Sequence, residues 1–390
     1  MSATFNRRTA LAALTASLLA LSPGLAQAQQ VLRIGVLGPL TGPGAAWGLG
    51  MDGGVKIAAE EANARGGLKI GGTTYKLEVV SYDDQYKAAE AVTAINRLIG
   101  PDDVRFVFGP IGSASLLAIK PLTEREGVLL FTGAWAADVL KDSKYIFRVG
   151  PTTQEFSPST VAWLKKNRPN LQRVALVAAN DETGWNSQKI QKAAYTKGGF
   201  DVVSAEFFER SQNDFRALLT KILAQNPDTI ELDTAPPRTA GLIIRQAREQ
   251  GYKGSFTKFG GYDVEEIVKA AGPDYAQGVV GTTMAAPGTD TWNRLGARFS
   301  TLHKTEMNDY VVMFYDAANL LFSSLQKAGS VKSDAVVAAL EANTPFQGSV
   351  GPLTWGGKAA YSVDHQIYRA VVMVEIQGGK GVVIGEAKPD

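Results

Sequence analysis

The 390-residue chain contains 40 lysines and arginines against 38 aspartates and glutamates, two histidines and no cysteine. The lack of cysteine excludes disulfides, thiolate metal sites and cysteine nucleophiles. Because no basic cluster is interleaved with aromatic residues, nucleic acid is not expected as a partner. The histidines, His303 and His365, lie far apart in sequence and have no second metal ligand at helical spacing, so we expect no metal or other cofactor.

Residues 1–28 have the order of a secretory signal peptide. Arg7 and Arg8 precede an apolar run over residues 10–21, and Ala26 and Ala28 place small residues where a signal peptidase cleaves. The run is shorter than the roughly 20 apolar residues that a membrane span needs, so an anchor is not expected. The paired arginines fit twin-arginine export as well as the Sec route, and the sequence leaves that choice open. We expect a mature protein that does not span a membrane.

Beyond residue 28, short β-type runs alternate with segments whose apolar residues recur at three- and four-residue spacing. The β-type runs cover residues 31–37, 75–82, 104–108 and 128–131 and, after residues 147–151, residues 173–177, 201–207, 229–233 and 255–259. The helical segments include residues 88–99, 115–124, 215–223 and 240–250. Continuous apolar strands between helices are typical of parallel sheets covered on both faces. Since roughly 360 residues exceed what one hydrophobic core usually serves, the sequence predicts two doubly wound (Rossmann-like) α/β units in series.

Two local patterns that suggest an enzyme lack the structural context that an enzyme needs, and a third is absent. Residues 48–53 fit a GxGxxG pattern, but a loop of about ten residues separates them from the strand that a dinucleotide site requires directly before it. No GxSxG motif surrounds Ser113. Asp83 and Asp84 end a strand with no further oxygen ligands nearby in sequence. We therefore expect a binding protein rather than an enzyme.

An ordered series of motifs runs along almost the whole chain after the signal. It begins with the loop PLTGP, the helix end EEANARGG and the strand end SYDD within residues 34–109. It continues with GPIGSAS (109–115), EREGVLLF (124–131), NDETGW (180–185), NDFRALLTKI (213–222), RQAREQG (245–251) and GPLTW (351–355). Each motif alone is weak, but the series resembles the periplasmic binding proteins for branched-chain amino acids and related compounds.

The resemblance implies a type I periplasmic binding fold, in which two lobes joined by a three-strand hinge close around a ligand. It implies crossings between the lobes near residues 147–151, 281–286 and 348–353. Residues 29–149 plus 284–348 would then form lobe 1, and residues 150–283 plus 349–390 lobe 2. Closure would be a rigid-body movement about the hinge.

The resemblance also implies the function of the chain. It would be the extracytoplasmic solute-binding component of an ABC importer, located in the periplasm, monomeric, and docking on the membrane permease subunits of the transporter. The alternative from a different class is a ligand-sensing module that presents its closed form to a receptor. The sequence leaves open which permease is served and which ligand is bound.

Ligands of open α/β sheets bind beyond the carboxyl ends of the strands, beside helix N-termini. Ser113 follows Gly112 at a predicted helix start, where a hydroxyl and free amides favour a carboxylate, unless the serine only caps its own helix. In the resemblance it matches the family's carboxylate-binding serine, Trp47 matches an aromatic wall, and Trp135 lies in a loop that reaches the same cleft. The residues that we expect to contact the ligand are Trp47, Ser113, Ala134, Trp135, Ala136, Thr183, Asp233 and Tyr262.

The chain departs from the amino-acid binders at three positions. Their threonine hydroxyl falls at about Ala136 here, where only a backbone amide is available. Their acidic residue, which holds the ammonium group of the ligand, falls on Gly260 or Gly261. Thr183 stands where the family commonly has an aromatic residue.

Two carboxylates lie near the predicted cleft, and the sequence does not decide which of them faces it. Asp233 ends a predicted strand, and Asp263 lies three residues beyond the first of the two glycines. The weakened ammonium site and the two tryptophans favour a larger or aromatic carboxylate, or an amide-like compound, over a leucine-type ligand.

Overall fold

The structure, a computed structural model, describes residues 30–388; the predicted signal peptide lies outside the described residues. Within them the chain forms two α/β lobes, each built on one sheet with helices on both faces. No helix among residues 30–388 is long and apolar enough to span a bilayer.

Lobe 1 is built in two passes of the chain. The first pass comprises β1 (Gln30–Gly38), α1 (Ala45–Ala64), β2 (Leu68–Ile70), β3 (Thr73–Asp83), α2 (Ala88–Ile99), β4 (Phe106–Phe108), α3 (Ser113–Glu126), β5 (Leu129–Thr132) and β6 (Ile146–Arg148).

The chain then crosses into lobe 2. That lobe receives α4 (Thr153–Asn167), β7 (Arg173–Ala179), α5 (Glu182–Lys197), β8 (Asp201–Phe208), α6 (Arg216–Leu223), β9 (Thr229–Glu231), α7 (Pro237–Glu249), β10 (Ser255–Lys258), α8 (Val264–Ala271), α9 (Pro273–Ala276) and β11 (Val280–Thr283).

The second pass returns to lobe 1 and ends in lobe 2. It comprises α10 (Asp290–His303), α11 (Asp309–Ala328), α12 (Ser333–Ala342), β12 (Phe346–Gly348), β13 (Gly351–Gly356), α13 (Lys358–Tyr361) and β14 (Gln366–Tyr368), followed in lobe 2 by β15 (Val371–Gln377) and β16 (Lys380–Ala387).

The lobe 1 sheet has nine strands in the order β12-β13-β14-β6-β5-β4-β1-β3-β2, and the lobe 2 sheet has seven in the order β16-β15-β11-β10-β9-β7-β8. The central strands of each sheet are parallel, and antiparallel strands stand only at the edges. The parallel doubly wound lobes predicted from the sequence are therefore confirmed. Each sheet directs the carboxyl ends of its parallel strands, and the loops that follow them, toward one edge.

The third crossing lies later in the chain than expected. Strands β13 and β14 belong to the lobe 1 sheet, because β13 pairs antiparallel with β14, and β14 pairs parallel with β6 at Gln366 and Arg148. Residues 349–368, expected in lobe 2, thus lie in lobe 1, and the chain crosses between β14 and β15. Strands of three residues have too little periodicity for a sequence pattern to assign them to a sheet.

The glycines of residues 48–53 have a packing role in the structure. They lie on α1, which packs against α10 and α11. A Cβ at Gly53 would come within 2.4 Å of the Phe299 ring, and a Cβ at Gly50 within 2.5 Å of Asn308 Oδ1, which caps α11. These two glycines let the helices of lobe 1 approach closely, and a Cβ at Gly48 would lie 2.1 Å from the Pro39 carbonyl oxygen, so the GxGxxG pattern follows from close packing around α1.

Candidate functional site

Ser113 is the first residue of α3 and is fully buried. Its hydroxyl does not cap its own helix. Instead its Oγ accepts hydrogen bonds from the backbone amides of Trp135 at 3.2 Å and Ala136 at 3.0 Å, in the loop after β5. The structure thus brings together a helix N-terminus, a hydroxyl and two amides from the next loop, a set of groups that suits a carboxylate. The Ala134 amide is directed elsewhere, to Thr132 Oγ1 at 2.9 Å.

Arg148 holds this loop in place and was not expected from the sequence. Its guanidinium is fully buried and lies over the Tyr361 ring, 4.7 Å from its centroid. It donates hydrogen bonds to the carbonyl oxygens of Trp135 at 3.1 Å and Ala136 at 3.4 Å. Because Arg148 fixes these carbonyls, it also fixes the loop that directs the Trp135 and Ala136 amides at Ser113. A single arginine at the end of an otherwise apolar strand was the available sequence signal.

Thr183 brings the start of α5 in lobe 2 against Ser113. Its Oγ1 donates to Ser113 Oγ at 2.9 Å and lies 3.4 Å from the backbone nitrogen of the same serine. The Tyr86 hydroxyl is 3.4 Å from Thr183 Oγ1, and burial raises the pKa of Tyr86 to about 12, so that hydroxyl stays protonated. Two helix N-termini, each with positive partial charge, therefore face one another across the cleft. A carboxylate between them would interact favourably with both.

Arg210 adds a cation to the same region and was also missed. It lies two residues beyond the end of β8, and its guanidinium carbon is 4.2 Å from the Tyr86 ring centroid. Its Nε pairs with Asp181, which caps α5 by accepting the Gly184 amide at 3.0 Å. Nη1 donates to the Thr234 carbonyl at 3.3 Å. Nη2 is buried and has no hydrogen-bond partner among the described residues.

Both tryptophans reach from lobe 1 into lobe 2. Trp47 stacks on Tyr310 with ring centroids 6.2 Å apart, and its Nε1 donates to the Gly261 carbonyl at 3.2 Å. The Trp135 ring packs edge-on against Phe156 of α4. The two tryptophans predicted for the cleft therefore lie between the lobes and join them.

Gly260 and Gly261 provide the space for those two rings. A Cβ at Gly260 would lie 2.3 Å from the Trp135 ring, and a Cβ at Gly261 would lie 2.7 Å from Trp47 Nε1. Both glycines have positive φ, 84° and 55°. Where the resemblance places an acidic residue, this chain thus has backbone against which tryptophan packs.

Asp233 faces the cleft, whereas Asp263 does not have a free carboxylate. Asp233 is 2% exposed, its Oδ2 accepts from Thr153 at 2.9 Å, and its Oδ1 has no partner among the described residues. Burial raises the pKa of Asp233, and the neighbouring Glu231 raises it further. Asp263 caps α8 through the Glu266 amide and accepts a hydrogen bond from an asparagine of lobe 1.

Lys258 joins the backbone at Asp233 to the backbone at Gly260. Its Nζ donates to the carbonyl oxygens of Asp233 at 2.8 Å and Gly260 at 2.6 Å, and burial lowers the pKa of Lys258 to about 8. Tyr262 lies away from the cleft, because its hydroxyl donates to the Val279 carbonyl at 3.0 Å and its ring packs on Gly281. Of the expected contact residues, Tyr262 is the one whose side chain is committed elsewhere.

The side chains between the lobes enclose a cavity of about 20 Å³. Four of the expected residues line it, with two tyrosines and Arg210 that were not expected. The lining residues are Trp47, Tyr86, Ile111, Gly133, Trp135, Thr183, Arg210, Asp233, Thr234 and Tyr310. Arg210 also lines a groove of about 460 Å³ at the mouth of the cleft. A ligand of several heavy atoms therefore requires the lobes to separate, as a hinged clamp allows.

The histidines take part in local packing. His365 stacks on Phe147 with ring centroids 4.0 Å apart, and His303 lies 3.2 Å from an Asp52 carboxylate oxygen. No group of three or more histidine or carboxylate side chains within residues 30–388 is arranged to hold a metal ion.

A family model described as periplasmic binding protein matches residues 31–380. The chain belongs to the periplasmic binding protein family. Its resemblance to this family, inferred from the ordered motifs, is confirmed. Such proteins are solute-binding proteins rather than enzymes, and we describe the chain as a substrate-binding protein of the ABC-transporter type.

The chain is similar to relatives with different ligands. It is 27% identical over 349 residues to the Leu/Ile/Val-binding protein BraC3 of Rhizobium johnstonii, with 89% of this chain and 93% of that protein covered. A leucine-binding protein, LivK, of Thermotoga maritima superposes with a TM-score of 0.81 at 24% identity, covering 92% of this chain and 99% of that one. An ABC-transporter solute-binding protein of R. palustris in complex with benzoate superposes with a TM-score of 0.78 at 21% identity. The match covers 92% of this chain and 97% of that one. The two structures establish the type I fold of this chain.

Proposed function

We propose that the chain captures a small carboxylate-bearing ligand in the periplasm and delivers it, as a monomer, to the membrane permease subunits of an ABC importer. The observation that carries the proposal is the environment of Ser113 Oγ. Two backbone amides and the Thr183 hydroxyl converge on this atom from both lobes. A carboxylate inserted here would accept hydrogen bonds from lobe 1 and lobe 2 together, so it would favour the closed form.

The lobe 2 side of the cleft supports a ligand without an α-ammonium group. The acidic residue expected in lobe 2 is replaced by Gly260 and Gly261. The rings of Trp135 and Trp47 fill the space where its side chain would lie. Arg210 is a cation that lines the cavity and would repel an ammonium group. Four aromatic rings line the cavity and offer an apolar wall. We therefore infer a larger or aromatic carboxylate in preference to a branched-chain amino acid.

A ligand panel tests the proposal. The mature protein is stripped of bound ligand by unfolding and refolding, and thermal shifts are measured with branched-chain and aromatic amino acids beside matched acids that lack the amine. We expect shifts with the amine-free acids, since a ligand at a hundredfold excess over Kd stabilises the folded state by about 2.7 kcal/mol. Shifts with amino acids alone would contradict the inferred ligand class.

The Ser113→Ala variant tests the carboxylate site itself. Losing hydrogen bonds to a charged group weakens binding by about ten- to a hundredfold, because such bonds contribute roughly 1.5–3 kcal/mol. Ser115→Ala is the matched control, since Ser115 is equally buried in α3 but its hydroxyl accepts neither of the two loop amides that Ser113 accepts. An unchanged Kd in Ser113→Ala would contradict the assignment.

A further inference from the structure

Two side chains that line the cavity between the lobes each contain a buried polar atom without a hydrogen-bond partner among the described residues. The atoms are Nη2 of Arg210 and Oδ1 of Asp233. Buried polar atoms in folded proteins are nearly always hydrogen-bonded, since leaving one unpaired is unfavourable. One is a donor and the other an acceptor, and both belong to lobe 2.

The remaining atoms of these side chains are fixed by the protein. Arg210 is held by Asp181 and by the Thr234 carbonyl, and Asp233 accepts the Thr153 hydroxyl through Oδ2. The Arg210 side chain is only 16% exposed, and Asp233 is 2% exposed. Both side chains line one cavity of about 20 Å³. That volume is about what one water-sized group needs, so a single small polar group in the cavity would lie against both side chains.

We propose that Arg210 and Asp233 recognise an uncharged hydroxyl group on the ligand, at a different point from its carboxylate. The hydroxyl oxygen accepts from Nη2 of Arg210, and its proton is donated to Oδ1 of Asp233. This inference rests on the proposed function, since it makes the ligand a hydroxy acid whose carboxylate is held at Ser113.

Other ligand groups match this pair less well. An ammonium group would satisfy Asp233 but would face the guanidinium, and a second carboxylate would satisfy Arg210 but would face the Asp233 carboxylate. A methyl group would leave both polar atoms unpaired and still remove them from water. A hydroxyl provides one donor and one acceptor in a single heavy atom. Burial raises the pKa of Asp233, and a hydroxyl also serves a protonated Asp233, because its oxygen can accept instead.

Calorimetric titrations with benzoic acids test the pairing. The panel contains benzoate, its 2-, 3- and 4-hydroxy isomers, 4-methylbenzoate, 4-(aminomethyl)benzoate and terephthalate. We expect at least one hydroxy isomer to bind about ten- to a hundredfold more tightly than benzoate, because both buried atoms become paired. The aminomethyl and dicarboxylate compounds should bind more weakly than that isomer. Tighter binding of either charged compound, or equal binding of benzoate and all hydroxy isomers, would overturn the inference.

Variants locate the effect at the two side chains. Arg210→Lys keeps a cation for Asp181 but loses the free Nη2, and Asp233→Ala removes the free acceptor. Both should bring the affinity for the best hydroxy isomer to within about threefold of that for benzoate, while benzoate itself still binds. Arg245→Met is the control, since Arg245 is exposed on α7 and does not line the cavity. A preference for the hydroxy isomer that survives in both variants would overturn the inference.

The design separates this inference from the proposed function. If benzoate binds and Ser113→Ala weakens it, the carboxylate site stands whatever the hydroxyl contributes. If the acids bind without a hydroxyl preference, only the inference fails. If no acid of the panel binds, both fail.

Discussion

The two faces of the cleft present different kinds of group to the space between the lobes. The lobe 1 face presents backbone amides and one hydroxyl, gathered at Ser113 from a helix start and the loop after the neighbouring strand. The lobe 2 face presents charged side chains, Arg210 and Asp233, and two glycines that accommodate the tryptophans of lobe 1. Backbone groups at the ends of parallel strands are fixed by the fold, whereas the side chains beside them can change without altering it.

This difference separates general from specific recognition. A carboxylate held by amides at a helix N-terminus is compatible with many ligand bodies, so we propose that the lobe 1 face sets the class of ligand. In this proposal the lobe 2 face sets which member of the class is bound, because unpaired polar atoms there would reject ligands that do not match them. Variants at the lobe 2 glycines and at the contacts between the lobes test this division of roles between the two faces.

Gly260→Ala should have the largest effect. Its Cβ would collide with the Trp135 ring, and a non-glycine residue at φ 84° is strained. Strain and overpacking each contribute about 1–3 kcal/mol, so we expect the affinity for the preferred acid to fall by about a hundredfold. The measurement is a calorimetric titration.

Gly251→Ala provides the matched control for this change. Gly251 has φ 87°, lies in lobe 2, and a Cβ there meets nothing within 4 Å. It should lower the free energy of unfolding while leaving Kd unchanged. Equal affinity losses in the two variants would show that backbone strain, and not ring packing in the closed cleft, produces the effect.

The sequence predicted the regular elements well where the pattern is long. The helix expected over residues 88–99 coincides with α2, because four buried apolar residues recur along one face. The four strands expected before residue 147 and the four in the second unit all form. The assignment of residues 349–368 failed, because β12 and β14 have three residues each and their sheet is determined by distant pairing.

The site was predictable on lobe 1 and only partly on lobe 2. Ser113 and Asp233 follow strands, so the rule that ligands lie at strand carboxyl ends located both. Arg210 also follows a strand, β8, but that strand stands at the edge of the sheet, and the sequence does not indicate that its loop reaches the cleft. Tyr310 comes from the start of a helix that returns to lobe 1 after the second crossing, and its position depends on packing with Trp47 that local spacing does not indicate.

The buried carboxyl of Asp309, at the contact between the lobes, should make the free energy of unfolding depend on pH. Its carboxyl, on α11 of lobe 1, is buried near Asp263 and Lys258 of lobe 2 and near Arg369. Burial, followed by repulsion from Asp263, raises the pKa of Asp309 to about 7. A carboxyl with a higher pKa in the folded state binds more protons when folded, so the free energy of unfolding decreases as pH rises from about 4 to about 7.

Asp309→Asn should remove this dependence. Between about pH 5 and pH 7.5 the unmodified protein should lose on the order of 2 kcal/mol of unfolding free energy relative to the variant. Urea unfolding at both pH values measures the difference. Asp290→Asn is the control, because Asp290 is the exposed first residue of α10, as Asp309 is the buried first residue of α11. Parallel pH profiles of Asp309→Asn and the unmodified protein would contradict the prediction.

Trp47→Phe should have the smallest effect. It tests the contact at which the lobe 1 and lobe 2 faces meet. Phenylalanine keeps an aromatic ring against Tyr310 but loses the indole hydrogen bond to Gly261, which joins the two faces. One neutral hydrogen bond contributes about 1 kcal/mol, so we expect Kd to rise about fivefold. Trp185→Phe is the control, because it also removes an indole hydrogen bond, to Asn180, but on an exposed surface of lobe 2. If the increase in Kd is the same for every acid of the panel, Trp47 acts on closure alone. If the increase differs between benzoate and the hydroxy acids, lobe 1 also contributes to specificity. The proposed division of roles between the two faces then fails.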